Sequence, residues 1–397
     1  MKVTIKPSIV RGTVIVPPSK SAAHRALISA ALSGGCTVSS VGNSADIDAT
    51  GACLKVLGAQ TEQTEQGIRL GGLDPYRIPD CTLDCGESGS TLRFLIPLCL
   101  VSGSKVTFKG QGRLMQRPLG EYAEFCRQKG FLFDLQPEHL TISGKMTGGE
   151  FYIDGSRSSQ FITGMLFVLP LLEGESTLVI EGEAQSLSYI DLTLQILRDF
   201  GIEIKKQKNR FFIPGGQRYR AEHICVEGDW SNAAFPAALN VLGGEVRLEG
   251  LREDSTQGDK IYREYFEKLG KETLDLSDCP DLAPILFALA AVRGGSFKGC
   301  KRLRLKESDR IAAMQAELQK CGITLVAGED DVCISPEGLH PPTLPIVSHN
   351  DHRIVMAMTV LLSHLGGSIE GAEAVGKSWR DFFETMRKLG MEVEYAS

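Results

Sequence analysis

VPPSKSAAHRALISAAL, residues 16–32, holds the key to this 397-residue chain. Val14, Ile15 and Val16 close a strand, Pro17-Pro18 stops it, and from Ser21 the Ala, Leu and Ile content is that of a buried helix. Lys20 therefore stands at a helix start, where backbone N–H groups are unpaired and the helix dipole is already positive. Arg25, four residues after Ser21 on the same face, adds a second cation. A bound phosphate or carboxylate would relieve that charge. A capped surface helix with two solvated cations is the plain alternative.

The same pattern returns along the chain. An apolar helical segment, a small-residue turn, a short strand and a glycine recur six times, as LSGGCTVSSVG from Leu32, LVSGSKVTFKG from Leu100, LEGESTLVIEG from Leu172, VLGGEVRLEG from Val241, VRGGSFKG from Val292 and HLGGSIEG from His364. Most copies continue into a second amphipathic helix that ends in Gly, at Gly58, Gly130, Gly201, Gly270, Gly322 and Gly390, and then a further strand such as EIKK or TLVA. The period of roughly 50 to 70 residues exceeds that of common solenoids. Alternating strands and helices predict an α/β (α+β) architecture, and the length predicts two domains or one large α/β unit.

Just before the first helix of each copy lies a polar junction: SKSAAHR from Ser19, GESGSTLR from Gly86, SRSSQF from Ser156, GDWSNAAF from Gly228, CPDLAP from Cys279 and HNDHR from His349. One such junction is an ordinary helix cap, whereas six rich in Ser, Asp, Arg and Gln point to a shared site.

Composition narrows the choice. With 42% hydrophobic and 23% charged residues the chain is an ordinary globular one, and a net charge of -6 argues against a general nucleic-acid binder. The N-terminal MKVTIKPSIVRG runs straight into strand-like sequence without a leader pattern, and the longest apolar run, Phe161 to Leu172, is too short to span a bilayer. Eleven cysteines without a CxxC pair predict reduced thiols in a cytoplasmic protein, with no metal site at Cys81 and Cys85.

Individual junctions carry chemistry. Ser88, Gly89 and Ser90 lead to Arg93, and Gly89 leaves room for a charged group to approach the backbone. Arg117 precedes Pro118, hence extended geometry at a predicted helix start. Ser158, Ser159 and Gln160 offer neutral donors, while Ser186 and Tyr189, expected before the helix YIDLTLQIL, are individually weak. KESDR is predicted to put Lys306, Glu307 and Arg310 within one turn, with Lys306 and Arg310 on one face; a carboxylate between cations can move a proton while the cations hold anions. NDHR repeats that mix at Asp351, His352 and Arg353, and Asp281 is the cap of an apolar helix or a base, two compatible roles. GAEAVGKS, Gly371 to Ser378, matches the phosphate-loop pattern and makes a nucleotide-dependent kinase a rival. The polar, short Ser368–Glu370 strand before it is unlike a central parallel strand.

Taken together, SKSAAHR, SGSTLR, QRP, SSQF, KESDR, NDHR and GKSW resemble the EPSP synthase family of enolpyruvyl transferases, in order from Pro18 to Lys377. The resemblance implies two domains of three βαβαββ units each, residues 1–17 with 228–397 and residues 18–227, with the active site in the cleft between them. It implies transfer of a carboxyvinyl group from phosphoenolpyruvate to shikimate 3-phosphate, without cofactor or metal, by a cytoplasmic monomer that binds neither nucleic acid nor membrane, and inhibition by glyphosate. Lys20, Ser21, Arg25, Ser158, Ser159, Gln160, Ser186, Asp281 and Lys306 resemble the shikimate 3-phosphate contacts. Lys20, Gly89, Arg117, Gln160, Arg310, Arg353 and Lys377 resemble those of phosphoenolpyruvate. Asp281 resembles the base, assisted by Lys20, and Glu307 the proton donor.

Three positions depart from the family pattern: Glu87, Ser90 and Arg302 stand where Asn, Thr and Asn are usual. Glu87 is expected to pair with an Arg. The sister UDP-N-acetylglucosamine enolpyruvyl transferase would show Lys-Asn at Lys20-Ser21 and a Cys before Arg117, and this chain has neither. A non-catalytic anion binder would lack Asp281 and Glu307.

Overall fold

The structure is a computed structural model and describes residues 1–155, 158–182 and 186–396. The chain divides into two compact units. Pro18–Glu227 forms an inserted unit, and Met1–Pro17 with Gly228–Ser397 forms a split unit. Each has its own apolar core.

The inserted unit holds helices α1 (Lys20–Ala31), α2 (Ala45–Val56), α3 (Gly89–Cys99), α4 (Gly120–Lys129), α5 (Ser159–Val168) and α6 (Leu187–Asp199). In its second copy, strand Cys81–Asp84 crosses through α3 to the parallel strand Val106–Lys109, and α4 then leads to the hairpin Leu132–Leu135 and His139–Ser143. The resulting sheet is parallel at its first pair and antiparallel at the next two, a βαβαββ unit. Glu150–Asp154, Ser176–Glu181, Lys205–Gln207 and Arg210–Ile213 repeat it. In the first copy the leading strand comes from the far end of the unit: His223–Cys225 pairs parallel with Cys36–Ser39.

The split unit carries α7 (Trp230–Val241), α8 (Tyr262–Lys268), α9 (Ala283–Arg293), α10 (Arg310–Lys320), α11 (His352–Leu365) and α12 (Phe382–Lys388). Two of its sheets have the same four-stranded order, one of them completed by the N-terminal strand Lys2–Ile5 between Gly367–Glu370 and Val393–Ala396. The copy around α7 and α8 is reduced, with only Arg11–Ile15 and Glu245–Glu249 paired among the described residues. Among the described residues six copies are present, one of them without the hairpin. EIKK also forms less strand than expected, since only Lys205 onward pairs.

Hydrophobicity separates the two helices of each copy. The first helices α1, α3, α5, α7, α9 and α11 are apolar nearly all round and buried on nearly every residue. Each large apolar side chain they bury contributes about 1.5–3 kcal/mol. The glycine that closes each second helix has positive φ, from +71° at Gly130 to +106° at Gly58, a conformation that costs other residues more.

The central helices thus present their N-terminal junctions at strand ends. Five of the six are capped by the junction's own side chain: Ser19, Ser88, Ser158, Asp229 and Asp351 accept from backbone N–H groups in the first turn. The sixth, α9, is entered through a turn of 3-10 helix, Pro280–Leu282, with no side-chain cap, so the cap role considered for Asp281 is not the one it plays. Among the described residues no helix is long and apolar enough to cross a membrane, and no group of three His, Cys, Asp or Glu side chains could hold a metal ion.

Candidate functional site

In the inserted unit, helix α1 starts one residue earlier than expected, at Lys20, because Ser19 caps it. Lys20 Nζ lies 2.8 Å from Asp46 Oδ2, both largely buried. Asp46, in the first turn of α2, escaped the sequence reading, since nothing local links two residues 26 apart. Arg25 is not a solvated cation. It is 2% exposed, and its Nε donates to Thr193 Oγ1 at 2.8 Å, its Nη1 to the Ser21 carbonyl at 2.7 Å, and its Nη2 to Thr163 Oγ1 at 3.4 Å and the Tyr189 carbonyl at 3.2 Å. Burial pulls this guanidinium down to about 10, still cationic at neutral pH. His24, buried beside Lys20 and Arg25, is held well below its ordinary value by burial and then by those two charges.

Arg93 and Arg117 frame the turn at Gly89. Arg93 Nη1 donates to Gln160 Oε1 at 2.6 Å and Nη2 to the Pro118 carbonyl at 3.0 Å, while Gln160 Nε2 donates to Ser90 Oγ at 3.0 Å. A Cβ on Gly89 would stand 2.7 Å from Arg117 Nη1 and 2.9 Å from its Cζ, so the missing side chain is what seats the guanidinium on the start of α3. Arg117 is extended (ψ 141°) as expected, but the helix after it begins at Gly120 rather than at Pro118. Tyr122 Oη donates to the Arg93 carbonyl at 2.8 Å, tying α4 to α3.

Ser158 caps α5, Ser159 is buried, and Ser186 is buried at the head of α6 with φ +56°, a left-handed conformation unusual for Ser. Tyr189 lies half-buried inside the first turn of α6, not before the helix. Ser156 and Arg157 of the same junction lie outside the described residues. The Glu87 carboxylate packs against Gly112, where a Cβ would meet its Oε2 at 2.8 Å.

The split unit gathers a different cluster. Lys306 is extended, and α10 begins only at Arg310 with Asp309 as cap, so Lys306 and Arg310 do not share a helical turn as predicted. They meet all the same at Asp281. Arg310 Nη1 donates to Asp281 Oδ1 at 2.9 Å, Arg353 Nη2 to Oδ2 at 2.8 Å, and Lys306 Nζ lies 3.8 Å from Oδ1. Arg310, 1% exposed, also donates from Nε to Asp351 Oδ2 at 3.0 Å and from Nη2 to Glu307 Oε2 at 2.9 Å. Arg353 donates further to Ser231 Oγ at 2.9 Å, and Ser308 Oγ to Asp351 Oδ2 at 3.0 Å. Burial alone would raise Asp281, but Arg353, Lys306 and Arg310 outweigh it and hold the carboxyl well below its ordinary value. Burial brings Lys306 down to about 8, with Arg302 and Arg310 adding repulsion against the pull of Asp281. Arg302 thus enters as a charge near Lys306.

Lys377 Nζ donates to the Asn350 carbonyl at 2.7 Å. It ends a 3-10 turn, Ala372–Lys377, that occupies the GAEAVGKS segment, and α12 starts only at Phe382. The strand before it runs antiparallel to Lys2–Ile5, and Ser378 Oγ accepts from Asn232 Nδ2. A phosphate loop needs a strand, an open glycine loop and an immediate helix; this segment has a closed turn in that place.

The family model described as EPSP synthase (3-phosphoshikimate 1-carboxyvinyltransferase) matches residues 5–274 and 264–386. The chain belongs to the EPSP synthase family. Among curated relatives, the 3-phosphoshikimate 1-carboxyvinyltransferase of Clostridium kluyveri is 38% identical, covering 99% of this chain and 98% of the relative. That of Clostridioides difficile is 36% identical, over 98% of each. The solved EPSP synthase of Acinetobacter baumannii superposes over the full length of both chains with a TM-score of 0.79 at 25% identity. The enolpyruvyl transferase NikO of Streptomyces tendae, at 13% identity and a TM-score of 0.76, shares the fold. Within this family frame, sequence reasoning found the cations and Asp281, and missed Asp46, Thr163, Thr193 and Ser231, which hold them in place, and Ser308, which donates to Asp351.

Proposed function

We propose that this chain transfers the carboxyvinyl group of phosphoenolpyruvate to the 5-hydroxyl of shikimate 3-phosphate, releasing inorganic phosphate, and that both clusters serve this one reaction. The observation that carries the reading is the Asp281 carboxylate held by Lys306, Arg310 and Arg353 in a chain of this family.

The chemistry joins two anionic substrates, so cations must hold phosphate and carboxylate groups while a base takes a hydroxyl proton. In this proposal Lys20, Ser21, Arg25, Ser158, Ser159, Gln160, Ser186 and Lys306 receive shikimate 3-phosphate. Lys20, Gly89, Arg117, Gln160, Arg310, Arg353 and Lys377 receive phosphoenolpyruvate. Asp281 accepts the 5-hydroxyl proton as that oxygen bonds to C2 of the donor, and Glu307 delivers a proton to the methylene carbon, giving a tetrahedral adduct. Breaking the C–O bond to phosphate, with return of a methyl proton to Glu307, restores the vinyl group, and the departing phosphate takes up the proton held by Asp281, which resets the base.

Asp281 begins as a weak base because three cations suppress it. Substrate anions that engage the same cations weaken that suppression and raise its proton affinity when the acceptor arrives. Measuring phosphate release from phosphoenolpyruvate with shikimate 3-phosphate, with UDP-N-acetylglucosamine in its place, and with neither tests the assignment. Release with shikimate 3-phosphate alone is expected, and release dependent on the sugar nucleotide would overturn it. Millimolar glyphosate is expected to compete with phosphoenolpyruvate in the same assay.

A further inference from the structure

Glu317 has no part in the steps above, yet it is 1% exposed and fully engaged. It lies on α10 seven residues beyond Arg310, two turns along the same face. Its Oε1 accepts from His349 Nε2 at 2.7 Å, and its Oε2 accepts from the Val347 N–H at 2.9 Å and Lys320 Nζ at 2.7 Å. Lys320 Nζ also donates to the Pro345 carbonyl at 2.9 Å. Burial would raise this carboxyl, and His349, Lys320 and the Val347 N–H hold it below its ordinary value, so it remains charged. The segment it grips is the one that turns into α11. There His349 and Asn350 have φ +50° and +54°, consecutive left-handed conformations that are uncommon for His and more readily taken by Asn. The Asn350 carbonyl accepts from Lys377, Asp351 caps α11 and accepts from Arg310, and Arg353 follows in the first turn.

Helix α10 is therefore fastened to this junction twice, by Arg310 on Asp351 and by Glu317 on His349 and Val347. We infer that Glu317 is a positioning residue, which through His349 and Val347 fixes the left-handed turn and so the placement of Arg353 and Lys377 toward phosphoenolpyruvate. The inference rests on the functional reading above for its ligand, and on the hydrogen bonds alone for the turn.

Glu317→Gln keeps the size and removes the charge. In steady-state assays it should raise KM for phosphoenolpyruvate about tenfold while KM for shikimate 3-phosphate stays within about twofold. Amide hydrogen exchange should quicken in residues 345–353 and nowhere else. His349→Ala, at a half-exposed site, should act in the same direction, and His349→Gln, which keeps an N–H donor for Glu317, should restore donor affinity; this pair carries the test should Glu317→Gln not fold. Equal rises in both KM values, or a loosened turn with donor affinity intact, would overturn the inference. Failure of the unaltered protein to release phosphate would sink the functional reading instead. In that case the exchange arm still decides, since unchanged exchange at residues 345–353 in both variants refutes the latch by itself.

Discussion

The two units build their cation clusters from the same repeat but surround them differently. In the inserted unit Arg25 is held by hydroxyls and carbonyls, and Arg93 meets an amide and a carbonyl oxygen. In the split unit Arg310 alone touches Asp281, Glu307 and Asp351. Neutral oxygens position Arg25 without cancelling its charge, whereas Lys20 of the same unit is paired with the Asp46 carboxylate. Carboxylates cancel the charge but can exchange protons. One repeat thus supports the proposed receptor and, elsewhere, the proposed proton-transfer centre, through what faces the arginines.

The contrast can be broken most severely at Asp281. Asp281→Asn keeps the shape and removes the proposed proton acceptor, and should lower kcat roughly 10²- to 10⁴-fold in a phosphate-release assay, with substrate binding by calorimetry largely retained. The receptor side is sharpest at Gly89. Gly89→Ala puts a methyl 2.7 Å from Arg117 Nη1, and displacing that guanidinium should raise KM for phosphoenolpyruvate roughly 10- to 100-fold, whereas the melting temperature changes little.

Acid should separate the two units. Asp281 and Asp351 have folded values below their unfolded ones, so their stabilisation is present above the ordinary carboxylate range and is lost as pH falls through the depressed values. Arg25, among neutral partners, has no such dependence in that range. Hydrogen exchange near pH 3 should therefore open the starts of α10 and α11 before that of α5, and simultaneous opening would count against the contrast. The smallest effect belongs to Lys306. Because burial brings it down to about 8, its charge fades above that pH, and kcat/KM for shikimate 3-phosphate should fall about tenfold per pH unit. The same shift makes folding bind fewer protons than the unfolded chain between about 8 and 10.5, so split-unit stability rises across that window; Lys306→Met should abolish both trends.

Much of this was legible in residue order. Hydrophobic period and the glycine after each helix announced six alternating copies, because burial and left-handed φ act over a few neighbours. Polar junctions marked the helix starts for the same local reason, and the capping that was the plain alternative there is what Ser19, Ser88, Ser158 and Asp351 do. Other features were beyond that reach. Whether Asp281 caps a helix or sits among three cations depends on Arg310 and Arg353, 29 and 72 residues away. Lys306 and Arg310 meet through an extended segment rather than a helical face, and Asp46, Thr193 and Glu317 find their partners only once sheets and helices have packed. Local propensity chooses the elements and which residues lie at their ends. The protonation state and aim of each charged group come from burial and from neighbours distant in sequence, and those exist only in the folded units.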